Sequence, residues 1–214
     1  GGTPEARYTG SLSYFDQDGV VIKSNFNRIQ GRVGLTLQNK KFTINLNNNY
    51  TTTTQTGSSP SQSNYSGMIN LFYSVWGYRP VTQPSVDINS LVDYSTDPGV
   101  DMTNDYRFNP ILSLNNEYNK RMSTTNTYNG YVEYQIRKGL KLKVSGGYTI
   151  QNNRNETFNN SKTRYGSPIS TDHVNASLLT SERKTWLNEN TLSYPTTFNK
   201  LHSFNALLGM TFQE

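Results

Sequence analysis

Apolar and polar residues alternate along residues 22–50, where two segments are joined by a short turn at Asn39 and Lys40. The residues of one parity are apolar or small, and they are Ile29, Gly31, Val33, Leu35 and Leu37. Those of the other parity are Arg28, Gln30, Arg32, Gly34 and Thr36. Successive side chains of a strand point to opposite faces of its sheet. The pattern therefore predicts a β-hairpin with one apolar face and one polar, partly basic face.

The same alternation recurs along the rest of the chain and predicts about seven strands. Outside the first hairpin, the predicted strands are residues 7–15, 118–136, 140–150, 185–194 and 202–212. The connections alternate in length, with short turns at 39–40, 137–139 and 195–200 and long loops at 51–110 and 152–182. The loop at 16–25 is intermediate. Transmembrane β-barrels have short turns at one end and long extracellular loops at the other.

Aromatic residues lie near the ends of the predicted strands, as in the interfacial girdles of membrane barrels. They are Tyr8, Tyr14, Phe42, Tyr50, Tyr134, Tyr148 and Tyr194. We therefore predict an all-β fold, an antiparallel up-and-down meander that forms part of a transmembrane β-barrel wall. A short helix is expected in one long loop.

That helix is predicted near residues 65–76, where apolar residues recur at helical spacing. Four residues in or just after it are candidates for contact with a sugar ring or a peptide, namely Tyr73, Trp76, Tyr78 and Arg79. The alternative is that the apolar side of the helix packs onto the base of the loop, through Tyr65, Met68, Phe72 and Trp76.

Composition supports a sheet with one hydrated face. Hydrophobic residues make up 33% of the 214 residues, whereas a soluble domain carries about 45–50% apolar residues when glycine is counted. Disordered chains are poor in aromatic residues, but this chain has 15 Tyr, 9 Phe and 2 Trp. A strand with one wet face needs only alternate residues to be apolar.

Charge, cysteine content and hydropathy exclude several other classes. The net charge of +5 is spread over the chain without a dense basic cluster, so no nucleic-acid partner is expected. The absence of cysteine excludes disulfides and thiolate metal sites. The sequence has no run of about 18 apolar residues, so it predicts no transmembrane helix. No signal peptide is visible, and the Gly1-Gly2 start looks like either a remnant of an expression tag or a cut within a longer protein.

Catalysis is not expected. His173 follows Asp172 in a polar loop that also holds Ser167, Ser170 and Ser177, but no nucleophile-elbow motif precedes them. His202, the second histidine, stands at a strand start. The sequence therefore predicts no enzyme and no cofactor.

No metal site is expected either. Asp16, Asp18 and Gly19 resemble the start of a calcium loop, but position twelve of that pattern is Asn27 instead of glutamate. Four aspartates recur every four residues at 93, 97, 101 and 105, but Pro98 and Gly99 interrupt any helix there. A turn and a solvated loop are the favoured interpretations.

Several short motifs resemble the barrel wall of SusC/RagA-family TonB-dependent transporters. They are residues 14–20 (YFDQDGV) followed by 26–28 (FNR), 109–112 (NPIL) leading to 119–120 (NK), the hairpin at 131–142, and 187–194 (LNENTLSY). The helix near 65–76, followed by Arg79, Pro80 and Pro84, resembles an insertion of that family. Together these motifs extend over nearly all of the chain, in the family's order.

The resemblance implies a segment of a nutrient importer in the Gram-negative outer membrane. It implies uptake of oligosaccharides or peptides, with a SusD-like surface lipoprotein, the TonB complex and outer-membrane lipid as partners of the full-length protein. Residues 1–214 would then be a partial barrel, without the family's plug and TonB-contacting segment. On its polar face the candidates to line the lumen are Arg28, Arg32, Glu133, Lys141 and Lys143. The alternatives are a surface β-sheet carbohydrate-binding module and a passive porin-like channel.

Overall fold

The computed structural model of the chain describes residues 1–58, 71–78, 108–168, 172–199 and 202–214. Within these ranges lie seven strands and two short helices. The strands are β1 (Ala6–Asp18), β2 (Asn25–Gln38), β3 (Phe42–Thr56), β4 (Glu117–Arg137), β5 (Leu140–Asn159), β6 (Asn175–Phe198) and β7 (His202–Gln213). The helices are α1 (Leu71–Gly77) and α2 (Pro110–Asn116).

All seven strands form one sheet in the order in which they occur along the chain. Each strand pairs antiparallel with the strand before it. The predicted up-and-down meander of seven antiparallel strands is therefore confirmed.

In two of the short turns, a side chain or a glycine stabilises the reversal of chain direction. Between β2 and β3, the Asn39 side-chain oxygen accepts hydrogen bonds from the backbone N–H groups of Lys41 and Phe42, at 2.9 and 2.7 Å. Between β4 and β5, Gly139 has a φ of 85°, which glycine adopts without steric cost. The connections β1–β2, β3–β4 and β5–β6 lie at the opposite end of the sheet and are longer.

Four strands extend further than the sequence pattern indicated. β1 continues to Asp18, β3 continues to Thr56, β5 continues to Asn159, and β6 covers Asn175–Phe198. The predicted bounds of the loops at 16–25, 51–110 and 152–182 and of the turn at 195–200 are therefore wrong, and the connections are residues 19–24, 57–116, 160–174 and 199–201. In these extensions most side chains on both faces are polar, so the period-two signal disappears although the backbone ladder continues.

The predicted helix is present in part, and a second helix was not predicted. α1 covers Leu71–Gly77, and residues 65–70 of the predicted helix lie outside the described ranges. α2 begins after Asn109, whose side-chain oxygen accepts a hydrogen bond from the Leu112 N–H at 3.1 Å. Pro110 occupies the first turn, where its missing N–H costs no helical hydrogen bond.

Buried residues gather at the end of the sheet that carries the long connections. Among the described apolar residues, Leu71, Phe108 and Leu114 are buried there, beside the buried polar residues Thr163, Arg164 and Ser167. Along the strands, many large apolar side chains are exposed. No helix in the described ranges is long and apolar enough to cross a membrane.

Two glycines in neighbouring strands provide a test of the packing on the apolar face. A Cβ atom on Gly130 would lie 2.8 Å from Leu46 Cδ2 and 3.0 Å from the Asn45 carbonyl oxygen, whereas one on Gly146 would lie 3.7 Å from its nearest neighbour. We expect Gly130→Ala to destabilise the protein by roughly 1–3 kcal/mol through overpacking. Gly146→Ala should be neutral or slightly stabilising.

The unfolding temperature of each variant is measured by circular dichroism, as the temperature at which half of the strand signal is lost. Equal unfolding temperatures for the two variants would contradict the close approach of β3 to Gly130.

Candidate functional site on the two-faced sheet

One face of the sheet carries a continuous apolar band. The strand registers align residues of equal parity, so that Leu35, Leu46 and Gly130 form one row and Ile44, Val132 and Val144 form the next. Because Gly130 and Gly146 lack side chains, this face has an open depression of about 680 Å³, bordered by Leu46, Val132, Val144, Tyr148 and Trp186. The predicted division of the strands into two chemically different faces is therefore present in the structure.

Aromatic rings form a row at each end of the apolar band. Towards the long connections, Tyr128, Tyr148 and Trp186 pair side by side across β4, β5 and β6. Towards the short turns, Phe42 and Tyr134 stack with ring centroids 4.5 Å apart. All seven aromatic residues singled out from the sequence lie in strands on the apolar face. Trp186 was missed because β6 was expected to begin only one residue before it.

The height of the band matches a bilayer core. In β5 the apolar residues of this face run from Leu140 to Ile150, about 33 Å along the strand at 3.3 Å per residue. A strand tilt of about 40° reduces this to a height of about 25 Å, the value for the outer band of membrane barrels.

The opposite face holds all five charged residues that were predicted to line a lumen. Lys141 Nζ lies 2.9 Å from Glu133 Oε1, and Lys143 Nζ lies 4.4 Å above the Tyr131 ring. On β2, Arg28 lies 5.8 Å above the Phe15 ring, and Arg32 pairs in register with Ser11 and Asn49. The structure therefore separates two arginines on β2 from a mixed charged group on β4 and β5.

Hydrogen-bonded polar side chains connect the strands of this face. Ser123 donates to Asn153 at 2.8 Å, and Asn153 donates to Ser181 at 3.3 Å, which links β4, β5 and β6. Register places further charged residues on the same face, among them Arg7, Arg121, Arg183 and Glu189. They follow the same strand alternation and were not singled out from the sequence. Hydroxyl, amide and guanidinium groups of this kind bind sugars and peptide backbones through hydrogen bonds.

The aromatic residues of α1 lie partly in solvent. Trp76 is 76% exposed and Phe72 is 49% exposed, and their rings stack with centroids 6.1 Å apart. Among the described side chains of this helix, Leu71 is buried. Tyr78 is partly exposed, whereas the Tyr73 side chain and Arg79 lie outside the described part of the chain. Both interpretations of Trp76, as a ligand contact and as a packing residue, stay predictions.

A buried polar cluster at the long-connection end was not found from the sequence. We call it the Glu117 cluster, and its members are Ser58, Ser113, Glu117 and Arg164. Both Ser58 and Ser113 donate hydrogen bonds to the Glu117 carboxylate, and Arg164 Nε lies 3.6 Å from Glu117 Oε1. The side chains of Glu117 and Arg164 are 5% and 3% exposed.

Tyr165 lies against this cluster. The Arg164 guanidinium lies 4.6 Å from the centre of its ring. Burial raises the pKa of the Tyr165 phenol, so the ring is neutral at neutral pH. No local sequence motif marks the cluster, because its members come from three separate segments.

The other sites considered from the sequence show no catalytic or metal-binding arrangement in the described ranges. Asn25 Nδ2 donates to both Asp16 and Asp18, at 2.8 and 3.0 Å, as in a hydrogen-bonded turn. His173 is exposed and Ser167 is buried. The residues that the structure describes contain no group of three or more metal-ligating side chains. Ser170 and the four aspartates at 93–105 lie outside these residues.

Comparison with known sequences gives matches along the whole chain. No protein-family model matches it. Two TonB-dependent receptors of Formosa agariphila are 26% and 27% identical to it, each over 100% of the chain. The chain spans 19% and 20% of these relatives, about a fifth of their length.

Comparison with solved structures also gives matches along nearly the whole chain, here in fold. The RagAB peptide transporter matches 100% of the chain with a TM-score of 0.74 and 23% identity, and the chain covers 23% of the matched chain. The RagAB peptide importer in its open-open state matches 99% of the chain with a TM-score of 0.73 and 21% identity, again over 23% of the matched chain. The chain is thus similar to a segment of TonB-dependent receptors in sequence and to a segment of RagAB in fold, which confirms the resemblance to SusC/RagA-like transporters.

Proposed function

We propose that this chain forms an arc of the β-barrel wall of a TonB-dependent transporter in the Gram-negative outer membrane. The observation that carries the proposal is the apolar face, about 25 Å high, bounded by aromatic rows and backed by a polar face. Lipid would contact the apolar face, and the polar face would line the water-filled interior. The sequence relatives, which are receptors of this type, support the same assignment.

The orientation of the sheet follows from its two ends. The short turns at Asn39 and Gly139 would lie on the periplasmic side, and the three longer connections on the extracellular side. The outer edges of β1 and β7 would pair with further strands of the full-length protein, because unpaired backbone groups are costly within a bilayer.

The proposed substrate is an oligosaccharide or a peptide. RagAB imports peptides, and the exposed Trp76 and the polar side-chain ladder fit either ligand. Trp76 and Tyr78, together with Tyr73 and Arg79, are proposed as extracellular ligand contacts. A SusD-like surface lipoprotein would deliver the ligand, and TonB would supply the energy for uptake.

Neighbouring residues of β3 test which face meets lipid. Leu46 lies in the middle of the apolar band and Asn47 points to the opposite face at the same height. We expect Leu46→Arg to reduce the stability of the membrane-inserted protein by about 2–4 kcal/mol, the cost of arginine at the bilayer midplane. Asn47→Arg should have little effect, because its side chain would enter water.

The measurement is the folded fraction of the full-length protein in the outer-membrane fraction, read as heat-modifiable migration. A loss of folding in Asn47→Arg but not in Leu46→Arg would reverse the proposed faces. A full-length protein that is a stable monomer in buffer without detergent would exclude the membrane assignment.

Arg32 tests the role of the polar face in uptake. Its guanidinium can donate several hydrogen bonds to oxygen atoms of a passing substrate and contributes positive potential to the interior. We expect Arg32→Gln to lower the uptake rate by roughly twofold or more, with an unchanged amount of folded protein. Lys40→Gln, which removes one exposed positive charge at the β2–β3 turn, is the matched control.

Uptake is measured in cells that express equal amounts of each variant. Equal uptake rates in Arg32→Gln and Lys40→Gln would remove Arg32 from the proposed substrate path.

A further inference from the structure

The Glu117 cluster joins three segments that are far apart in the sequence. Ser58 follows β3, Ser113 belongs to α2, and Arg164 belongs to the β5–β6 connection. The carboxylate of Glu117, at the start of β4, receives hydrogen bonds from the two serines and the charge of the arginine. One buried side chain therefore contacts both ends of the β3–β4 connection and the middle of the next connection.

Because Glu117 and Arg164 are both buried, each side chain depends on the other to compensate its charge. A carboxylate and a guanidinium that are almost fully buried must compensate each other, because a single buried charge is strongly destabilising. Movement of the β5–β6 connection by a few ångströms would separate Arg164 from Glu117, and movement of Ser58 or Ser113 would remove a hydrogen bond to the carboxylate. The cluster therefore favours a state in which all three segments are in place together.

Further hydrogen bonds link α2 to the β5–β6 connection. The backbone N–H of Arg164 donates to Ser113 Oγ at 3.1 Å, and Asn160 Nδ2 donates to Asn116 Oδ1 at 3.1 Å. Gly166 allows this turn to close, since a Cβ atom there would lie 2.3 Å from the Asn160 carbonyl oxygen.

α2 also contacts the remaining long connection. Lys23, in the segment between β1 and β2, donates a hydrogen bond from Nζ to the Asn115 carbonyl oxygen. All three long connections of the sheet therefore meet at one seven-residue helix. Lys23 lies on its exposed side, whereas the Glu117 cluster is buried.

We propose that α2 and the Glu117 cluster couple the bases of the three long connections, so that loosening one of them loosens the others. The coupling is a conformational device beyond the transport function proposed above. It would carry a displacement at one connection to its neighbours without movement of the strands below.

Hydrogen exchange of backbone amides in the full-length protein tests this coupling. Arg164→Met removes the buried positive charge that the β5–β6 connection contributes to the cluster and keeps most of the side-chain length. We expect amides in 110–116 as well as in 160–168 to lose protection by tenfold or more, equivalent to about 1.4 kcal/mol. Amides of the band at 128–134 and 142–150 should keep their protection.

Arg154→Met is the matched control, because it removes an arginine that is half exposed and pairs with Glu156 in β5. It should leave both connections unchanged. Loss of protection in 160–168 alone, with 110–116 unaffected, would show that the connections move independently and would overturn the proposal.

A milder substitution keeps the test decisive if loss of the buried charge prevents folding. Ser113→Ala removes one hydroxyl that donates to Glu117 and accepts from the Arg164 N–H. It should loosen residues 160–168, which lie about fifty positions away in the sequence, by a few-fold or more. Ser145→Ala, which removes an exposed hydroxyl from β5, is its control. Equal rates of amide hydrogen exchange in residues 160–168 of the two serine variants would also overturn the coupling.

Discussion

The antiparallel backbone ladder is the constraint on which the rest of this structure depends. Each strand pairs with its predecessor along nearly its full length, and the one register shift lies beside the β4–β5 turn, between Gln135 and Arg137. A slip by one residue would move every apolar side chain of a strand to the polar face. The Asn39 side chain and the positive φ of Gly139 matter for this reason, because the turns set the register of the strands that follow.

The ladder organises the sheet without giving it a core of its own. Among the described residues, the buried apolar side chains belong to the helices and their flanking residues, whereas Leu12, Val33, Leu46 and Leu208 of the strands are exposed. An apolar surface of this extent needs an apolar surrounding to be stable. In the proposed barrel the bilayer provides it, and the aromatic rows of Tyr128, Tyr148 and Trp186 and of Phe42 and Tyr134 lie at its two boundaries.

The parts of the fold with a periodic signal could be predicted from the sequence, and the parts that depend on distant contacts could not. Alternation at 28–37 and 128–136 identified the two faces, and it placed Arg28, Arg32, Glu133, Lys141 and Lys143 on the polar one. The extensions of β3 and β5 were missed because polar residues, mostly threonine and asparagine, occupy both of their faces, and that of β6 because the adjacent Leu178 and Leu179 break the alternation. In the sequence, Glu117 and Arg164 are indistinguishable from ordinary surface charges. No local motif indicates that these two residues, 47 positions apart, are buried together.

The length of the strands has a mechanical consequence. In β5, residues 151–159 continue the ladder for about 30 Å beyond the apolar band, at 3.3 Å per residue, and β4 and β6 accompany them on both sides. A protease must draw a flexible segment into its active-site cleft, and a strand paired on both edges resists this. In the proposed orientation the protein would thus present a stiff, digestion-resistant collar to the surroundings of the cell, with susceptible backbone confined to the connections at its top.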